Sequence, residues 1–238
     1  MNEQKLSKRL TTVVKYVPEN ARLADIGTDH AYLPVSLALK GKIEYAVASD
    51  VVKGPFESAV EQIKKSGVQE IVHPRLASGF DGVKRADKID TITIAGMGGS
   101  LIAEILRDGL MSLHLTGKER LILQPNVHSQ AVRIWLVNHN YEIIAEEILE
   151  ENDKIYEVIV AEKQKEKTEL TDNELLFGPI LLREKSPVFI QKWQGELEKN
   201  EKVLATLENA NSDNDWKVNE FTQIIEQIHE VLSENVSD

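Results

Sequence analysis

Ala24-Asp25-Ile26-Gly27-Thr28-Asp29-His30-Ala31-Tyr32-Leu33-Pro34 decides how this chain folds. The apolar run that starts at Ala21 ends on a glycine, and the residues after it resume at helical spacing, so the segment is a strand turning into a helix. Gly27 lets backbone approach a ligand with no Cβ in the way, and the free N–H groups of the following helix can bind polar atoms. The dinucleotide fingerprint Gly-x-Gly-x-x-Gly is absent. Thr28, Ala31 and Tyr32 stand instead around Asp25 and Asp29, which would repel a pyrophosphate. The turn therefore suits an electropositive ligand, with Asp25, Gly27 and Thr28 as expected contacts.

Working outward, strands expected at 22–26, 45–50, 70–75, 89–95 and 121–124 alternate with helices at 33–40, 55–66, 100–110 and 129–138. That rhythm predicts a parallel sheet with helices on both faces, an α/β, Rossmann-like fold. Leu6, Leu10, Val13, Val14 and Val17 predict an amphipathic helix over 5–17, ended by Pro18. Two strand-like runs, 141–149 and 155–161, flank Glu150-Glu151-Asn152-Asp153 and read as an antiparallel hairpin. Residues 162–174 are polar and read as a linker or exposed excursion. Beyond them Ile190, Trp193, Leu197, Leu204 and Leu207, then Val218, Phe221, Ile225, Ile228 and Leu232, form two heptad seams joined by a polar turn at 209–214. The expected division is a ligand-binding domain over 1–163, then a linker and a helical, coiled-coil hairpin over 164–238.

The chain has 238 residues, no cysteine and a formal charge of −11. Disulfides and thiolate metal sites are excluded, and no metal is expected. No signal-like segment and no run of roughly 20 apolar residues occurs, which reads as a soluble cytoplasmic protein. Net negative charge disfavours nucleic acid, but the charge is unevenly spread. Residues 1–163 hold 20 Lys and Arg against 23 Asp and Glu, whereas 164–238 hold 8 against 16. Lys5, Lys8, Arg9 and Lys15 cluster on the first helix, as either a local basic patch or a solvated face.

Four further strings carry chemistry. Asp50 ends the second strand, where a carboxylate can accept both ribose hydroxyls of an adenosine. Ser78-Gly79-Phe80 follows the third strand, where Ser78 can bond an adenine amino group and Phe80 can cover the ring. Ala95-Gly96-Met97-Gly98-Gly99 ends the fourth strand and allows close approach of something bulky. It lacks the Pro-Pro-aromatic string common where exocyclic amines are methylated, so an endocyclic ring nitrogen is the better nucleophile. Gln124 and Asn126, ending the fifth strand, either meet a base edge or cap the next helix.

Lys5-Leu6-Ser7-Lys8-Arg9-Leu10, the Asp25 to Pro34 string, Gly54-Pro55, Ile94 to Gly99 and Leu121 to Asn126 together resemble the bacterial tRNA N1-methyltransferases that modify adenine at position 22. The resemblance implies a seven-stranded class I fold, S-adenosylmethionine as cofactor, tRNA as partner and a coiled-coil extension. It also implies a catalytic role for Asp29, whose carboxylate would accept the adenine amino hydrogen as N1 gains charge. Helix capping and pairing with the cofactor's ammonium are the other readings of Asp29. His30 and Tyr32 are expected either at the RNA base or in structural roles. Ser78 departs from the family's usual acid. The heptads would close within a monomer or pair in a weak dimer. Two rival readings stand beside this one: a small-molecule methyltransferase, and a non-catalytic binding module.

Overall fold

The computed structural model describes residues 6–28, 30–167, 169–209 and 215–233. β-branched and small apolar residues build a seven-stranded sheet: Ala21–Ile26 (β1), Ile43–Asp50 (β2), Val72–Leu76 (β3), Thr91–Gly98 (β4), Arg120–Val127 (β5), Tyr141–Glu151 (β6) and Lys154–Lys163 (β7). Their order is β3-β2-β1-β4-β5-β7-β6. β1 to β5 are mutually parallel, and β7 inserts antiparallel between β5 and β6. β4 runs three residues further than the sequence suggests. Its register shifts on either side of Met97, so the glycine string is a bulged strand end and not a free turn.

Helices Lys8–Lys15 (α1), Tyr32–Leu39 (α2) and Lys53–Ser66 (α3) cover one face of the sheet, and Gly99–Met111 (α4) and Ser129–Asn138 (α5) cover the other. α2 buries six consecutive residues, Leu33 to Ala38, which explains why it has no polar stripe. α1 begins later than expected because Ser7 caps it, its hydroxyl accepting from the Leu10 N–H at 3.2 Å.

The polar segment after 163 is less of a linker than its composition suggests. Glu162 and Lys163 complete β7, and Thr171 and Glu174 form a capping box that starts Asp172–Phe177 (α6). Leu181–Glu184 (α7) leads into Pro187–Glu208 (α8), which packs beside Asp215–Ser233 (α9). Phe189 and Trp193 near the start of α8 meet Ile228 and Val231 near the end of α9, so the two helices run antiparallel. Most of the turn between them, 210–214, lies outside the described residues.

A buried ion cluster fastens this tail to the sheet. The fully buried Arg133 on α5 donates to Glu146 on β6 at 2.8 Å and to Glu157 on β7 at 2.7 Å. Lys192 of α8 pairs with the same Glu157, and Glu146 also accepts from the Ile180 N–H at 2.9 Å. Burial alone would raise Glu157, but Lys192 and Arg133 overcome it and hold its carboxyl down to about 2. Gly178 passes so close that a Cβ there would lie 2.6 Å from the Arg133 guanidinium.

A second pair sits at the other end of the sheet. Asp87 accepts from Arg75, from Tyr45 at 2.8 Å and from the Lys84 N–H at 2.6 Å. Burial opposes ionisation there, but the Arg75 hydrogen bond, the Lys84 amide and Tyr45 lower the carboxyl from 3.8 to about 2.

Two outcomes follow. Arg133→Ala leaves the buried Glu146 with no cation and Glu157 with Lys192 alone, and should cost about 3–5 kcal/mol in urea unfolding; a loss under about 1 kcal/mol would show that the cluster does not bear on stability. Because the folded carboxyl of Asp87 is lowered, its contribution is complete above the unfolded value near 3.8 and disappears as pH falls through about 2. Asp87→Asn should therefore be less stable than the native chain at pH 6, with the gap closing on acidification; a gap independent of pH would contradict this.

Candidate cofactor and substrate crevice

The carboxyl ends of β1, β2 and β4 meet at Gly27. Its N–H and that of Thr28 both donate to the Ser49 carbonyl, at 2.8 and 3.0 Å, which closes the end of β1 onto β2. Gly27 has φ +73°, and His30 and Ala31 follow in the left-handed region at 54° and 52°. Two consecutive non-glycine residues in that region make a strained turn, the kind that structure holds at ligand sites. The His30 and Tyr32 rings stack at 5.3 Å. Asp29 lies outside the described residues.

Asp25 differs from expectation. It is 5 % exposed and accepts from the Thr93 hydroxyl at 2.6 Å. Burial raises its carboxyl, the Thr28 and Thr93 hydroxyls oppose the rise, and Asp50 adds to it. Asp25 thus ties β1 to β4 and is no outward-facing anion. Asp50, half-buried at the end of β2, accepts from the Val52 N–H at 2.7 Å. The Ser49 hydroxyl is buried beside the turn with no hydrogen-bond partner. Val51 and Val52 stand out at 66 % and 56 % exposed, next to Asp50. They were missed from sequence, although two valines in a loop where polar residues are usual were the signal.

Ser78 is exposed, but Phe80 is corrected. Its ring lies against α4, 2.4 Å from where a Cβ on Gly109 would be, and is 3 % exposed. It fills the core and offers no face to a base. The same packing makes Gly79 part of one 3-10 turn over Gly79–Gly82.

At β4 and β5 a knot of amides forms around Gln124, which is fully buried. Its Oε1 accepts from Arg9 and from the Gly96 N–H at 2.9 Å. Its Nε2 donates to the Pro125 carbonyl at 2.9 Å and to Asn126 at 3.2 Å. Asn126 in turn donates to the Gly96 carbonyl at 2.8 Å. α5 starts at a left-handed His128 with no side-chain cap, so neither amide caps it. Both brace the bulge after Ala95. Met97 reaches back across the crevice, its methyl lying 1.9 Å from where a Cβ on Gly27 would stand.

Arg9 also lies over the Tyr156 ring at 5.4 Å. Tyr156, on the inserted strand β7, is the other residue missed from sequence, because only the strand order brings it beside β5. The basic face of α1 is partly engaged: Lys15 pairs with Glu147, the Lys8 ammonium donates to the Glu150 carbonyl at 3.0 Å, and Lys5 lies outside the described residues. Among the described residues no cluster of three His, Asp or Glu can hold a metal ion.

A family model described as tRNA (adenine(22)-N(1))-methyltransferase matches residues 23–231. The chain belongs to that family. A curated tRNA (adenine(22)-N(1))-methyltransferase of Bacillus subtilis is 44 % identical over 98 % of this chain and 99 % of its own. The crystal structure of the B. subtilis enzyme aligns with a TM-score of 0.89 at 43 % identity, covering 96 % of this chain and 99 % of that one. That of the M. capricolum enzyme, in complex with S-adenosylhomocysteine, aligns at 0.84 with 31 % identity, covering 96 % and 98 %.

In this methyltransferase the crevice rests on how closely α4 approaches the β5–α5 turn. A Cβ on Gly99 would sit 2.0 Å from the His128 carbonyl oxygen, whereas one on Gly98 would meet Val127 at an ordinary 3.8 Å. Gly99→Ala should lower the thermal midpoint and weaken cofactor binding, and Gly98→Ala should do neither. Equal behaviour of the two variants in calorimetry would contradict this geometry.

Proposed function

We propose that the chain transfers the methyl group of S-adenosylmethionine to N1 of an adenine in tRNA, at position 22. The observation that carries this is the family match over residues 23–231, on a crevice whose donor set fits the cofactor. The buried Ser49 hydroxyl, without a partner, lies beside Gly27, and Asp50 has one oxygen engaged only by a local N–H. Asp50 would hold the ribose, the exposed Val51 and Val52 would flank the adenine, and backbone at Gly27, Gly96 and Met97 would line the remainder. Bound there, S-adenosylmethionine would supply an electrophilic methyl group.

The protein's own part is positioning and charge. The target adenine must leave its stack, at a cost of a few kcal/mol, to bring N1 to the crevice. Held in line, it reacts without a covalent enzyme intermediate. As N1 gains the methyl the ring becomes cationic and its amino group more acidic, and Asp29 accepts the amino hydrogen bond. Gln124 and Asn126 keep the Gly96 bulge from sagging onto the base. Arg9 and Tyr156 wall the β5 side, Tyr32 and His30 wall the β1 side, and Lys5 and Lys8 offer positive charge to nearby phosphates. Asp25 acts through Thr93 by fixing the turn.

The α8–α9 seam closes within one chain, which supports a monomer. No helix among the described residues is long and apolar enough to cross a membrane, and a tRNA substrate agrees with a cytoplasmic enzyme. Residues 1–163 carry the chemistry in this reading, and 164–238 form an extension docked through Arg133.

Two assays test this. The purified chain with methyl-labelled cofactor should modify unmodified tRNA and leave a panel of small amines untouched; the reverse pattern would overturn the RNA reading. Asp29→Asn should lose about 100-fold or more in turnover while binding cofactor normally. Unchanged turnover would remove Asp29 from the chemistry.

A further inference from the structure

A second cavity, of about 570 Å³, opens at the amino ends of β4 and β5, at the other end of the strands from the crevice. Its floor is apolar, formed by Ile89, Leu110 and Leu113 among others. Its rim carries four cations, Lys84, Arg85, Lys88 and Lys118, all exposed. In a chain of net charge −11 such a convergence is not an average stretch of surface. One acid, Glu119, lines the cavity, and it and the acids beside the cavity have partners of their own, Asp90 accepting from the Arg22 N–H and the Thr91 hydroxyl. Asp87 is held by Arg75, Asp108 by Arg107, and Glu119 by its own loop. None of the four cations makes an ion pair among the described residues.

Both walls are fixed in advance by buried carboxylates. Asp87 accepts from the Lys84 N–H and so sets the 3-10 turn Arg85–Asp87 that presents three of the cations. Glu119, 3 % exposed, accepts from the backbone N–H groups of Thr116, Gly117 and Lys118 at 2.9 to 3.1 Å and sets the fourth. Two lining residues are in strained backbone, Lys88 at φ 49° and Leu113 at φ 59°. Leu113 follows the cap of α4, where glycine is the usual occupant, and yet it is 63 % exposed. A strained, exposed leucine where glycine would serve better has no packing reason. It makes sense as one wall of a ligand site.

We infer that this cavity binds a nucleotide, its planar base against Leu110, Leu113 and Ile89 and its phosphate among Lys84, Arg85, Lys88 and Lys118. The volume suits one nucleotide-sized ligand, and neither an apolar group nor a phosphate alone satisfies both floor and rim. The same chemistry is offered by a free mononucleotide or by an unstacked nucleotide within an RNA chain.

Calorimetry on the full chain, with S-adenosylhomocysteine saturating the crevice, decides the matter. Guanosine 5′-monophosphate should bind about tenfold or more tightly than guanosine or inorganic phosphate. The pair Arg85→Ala and Lys88→Ala should weaken it by about tenfold or more. Leu113→Gly should weaken it too, without lowering the thermal midpoint, which separates lost binding from lost folding. If guanosine 5′-monophosphate fails to bind but the same variants weaken binding of unmodified tRNA, the ligand is a nucleotide within RNA. If the variants change neither, the inference is wrong.

Discussion

The buried amide of Gln124 is the contact on which the carboxyl edge of the sheet depends. All of its hydrogen-bonding capacity is spent locally, on Arg9, on Gly96 and on the backbone and side chain just beyond it. Removing it would take away the partner that the Arg9 guanidinium and the Gly96 N–H share. Through it the first helix, the β4 bulge and the end of β5 move as one piece. That rigidity matters because acceleration by positioning fails when the reacting atoms wander by an ångström.

Charge is arranged on a second level. The acids that make the chain strongly negative are concentrated after residue 163, and several acids of β6 and β7 face inward or toward α1, where Lys15, Arg133 and Lys192 meet them. A buried ion cluster of this kind contributes less to net stability than to placing its elements, since desolvation offsets much of the attraction. Here it places a helical hairpin against the sheet edge formed by β6 and β7. The acidic extension is thereby fastened to β6, β7 and α5 through α8 and the α6–α7 connection.

Much of the architecture was legible in the sequence because its signals are local. Strand and helix periods located every strand of the sheet, Gly27 marked the turn that closes β1, and the two heptad seams gave the antiparallel pair. What escaped depends on contacts far apart in the chain. The insertion of β7 between β5 and β6 leaves no trace in periodicity, so Tyr156 was not expected beside Arg9. Phe80 looked like a ring for a base because its neighbours are small. Only the glycine at 109, in the last turn of α4, shows where that ring goes. Asp25 looked like a charge facing a ligand because it precedes Gly27. Its burial follows from Thr93 on a strand sixty-eight residues away. The Arg133 cluster likewise joins residues from four elements and the α6–α7 connection, none of which looks unusual alone.

Nucleoside mass spectrometry of tRNA from cells lacking this protein, set beside cells in which it is restored, tests the central claim most directly. The account predicts that N1-methyladenosine is lost from the tRNAs that carry adenine at position 22 and returns with the native chain. Undiminished N1-methyladenosine at that position in the cells lacking it would contradict the account.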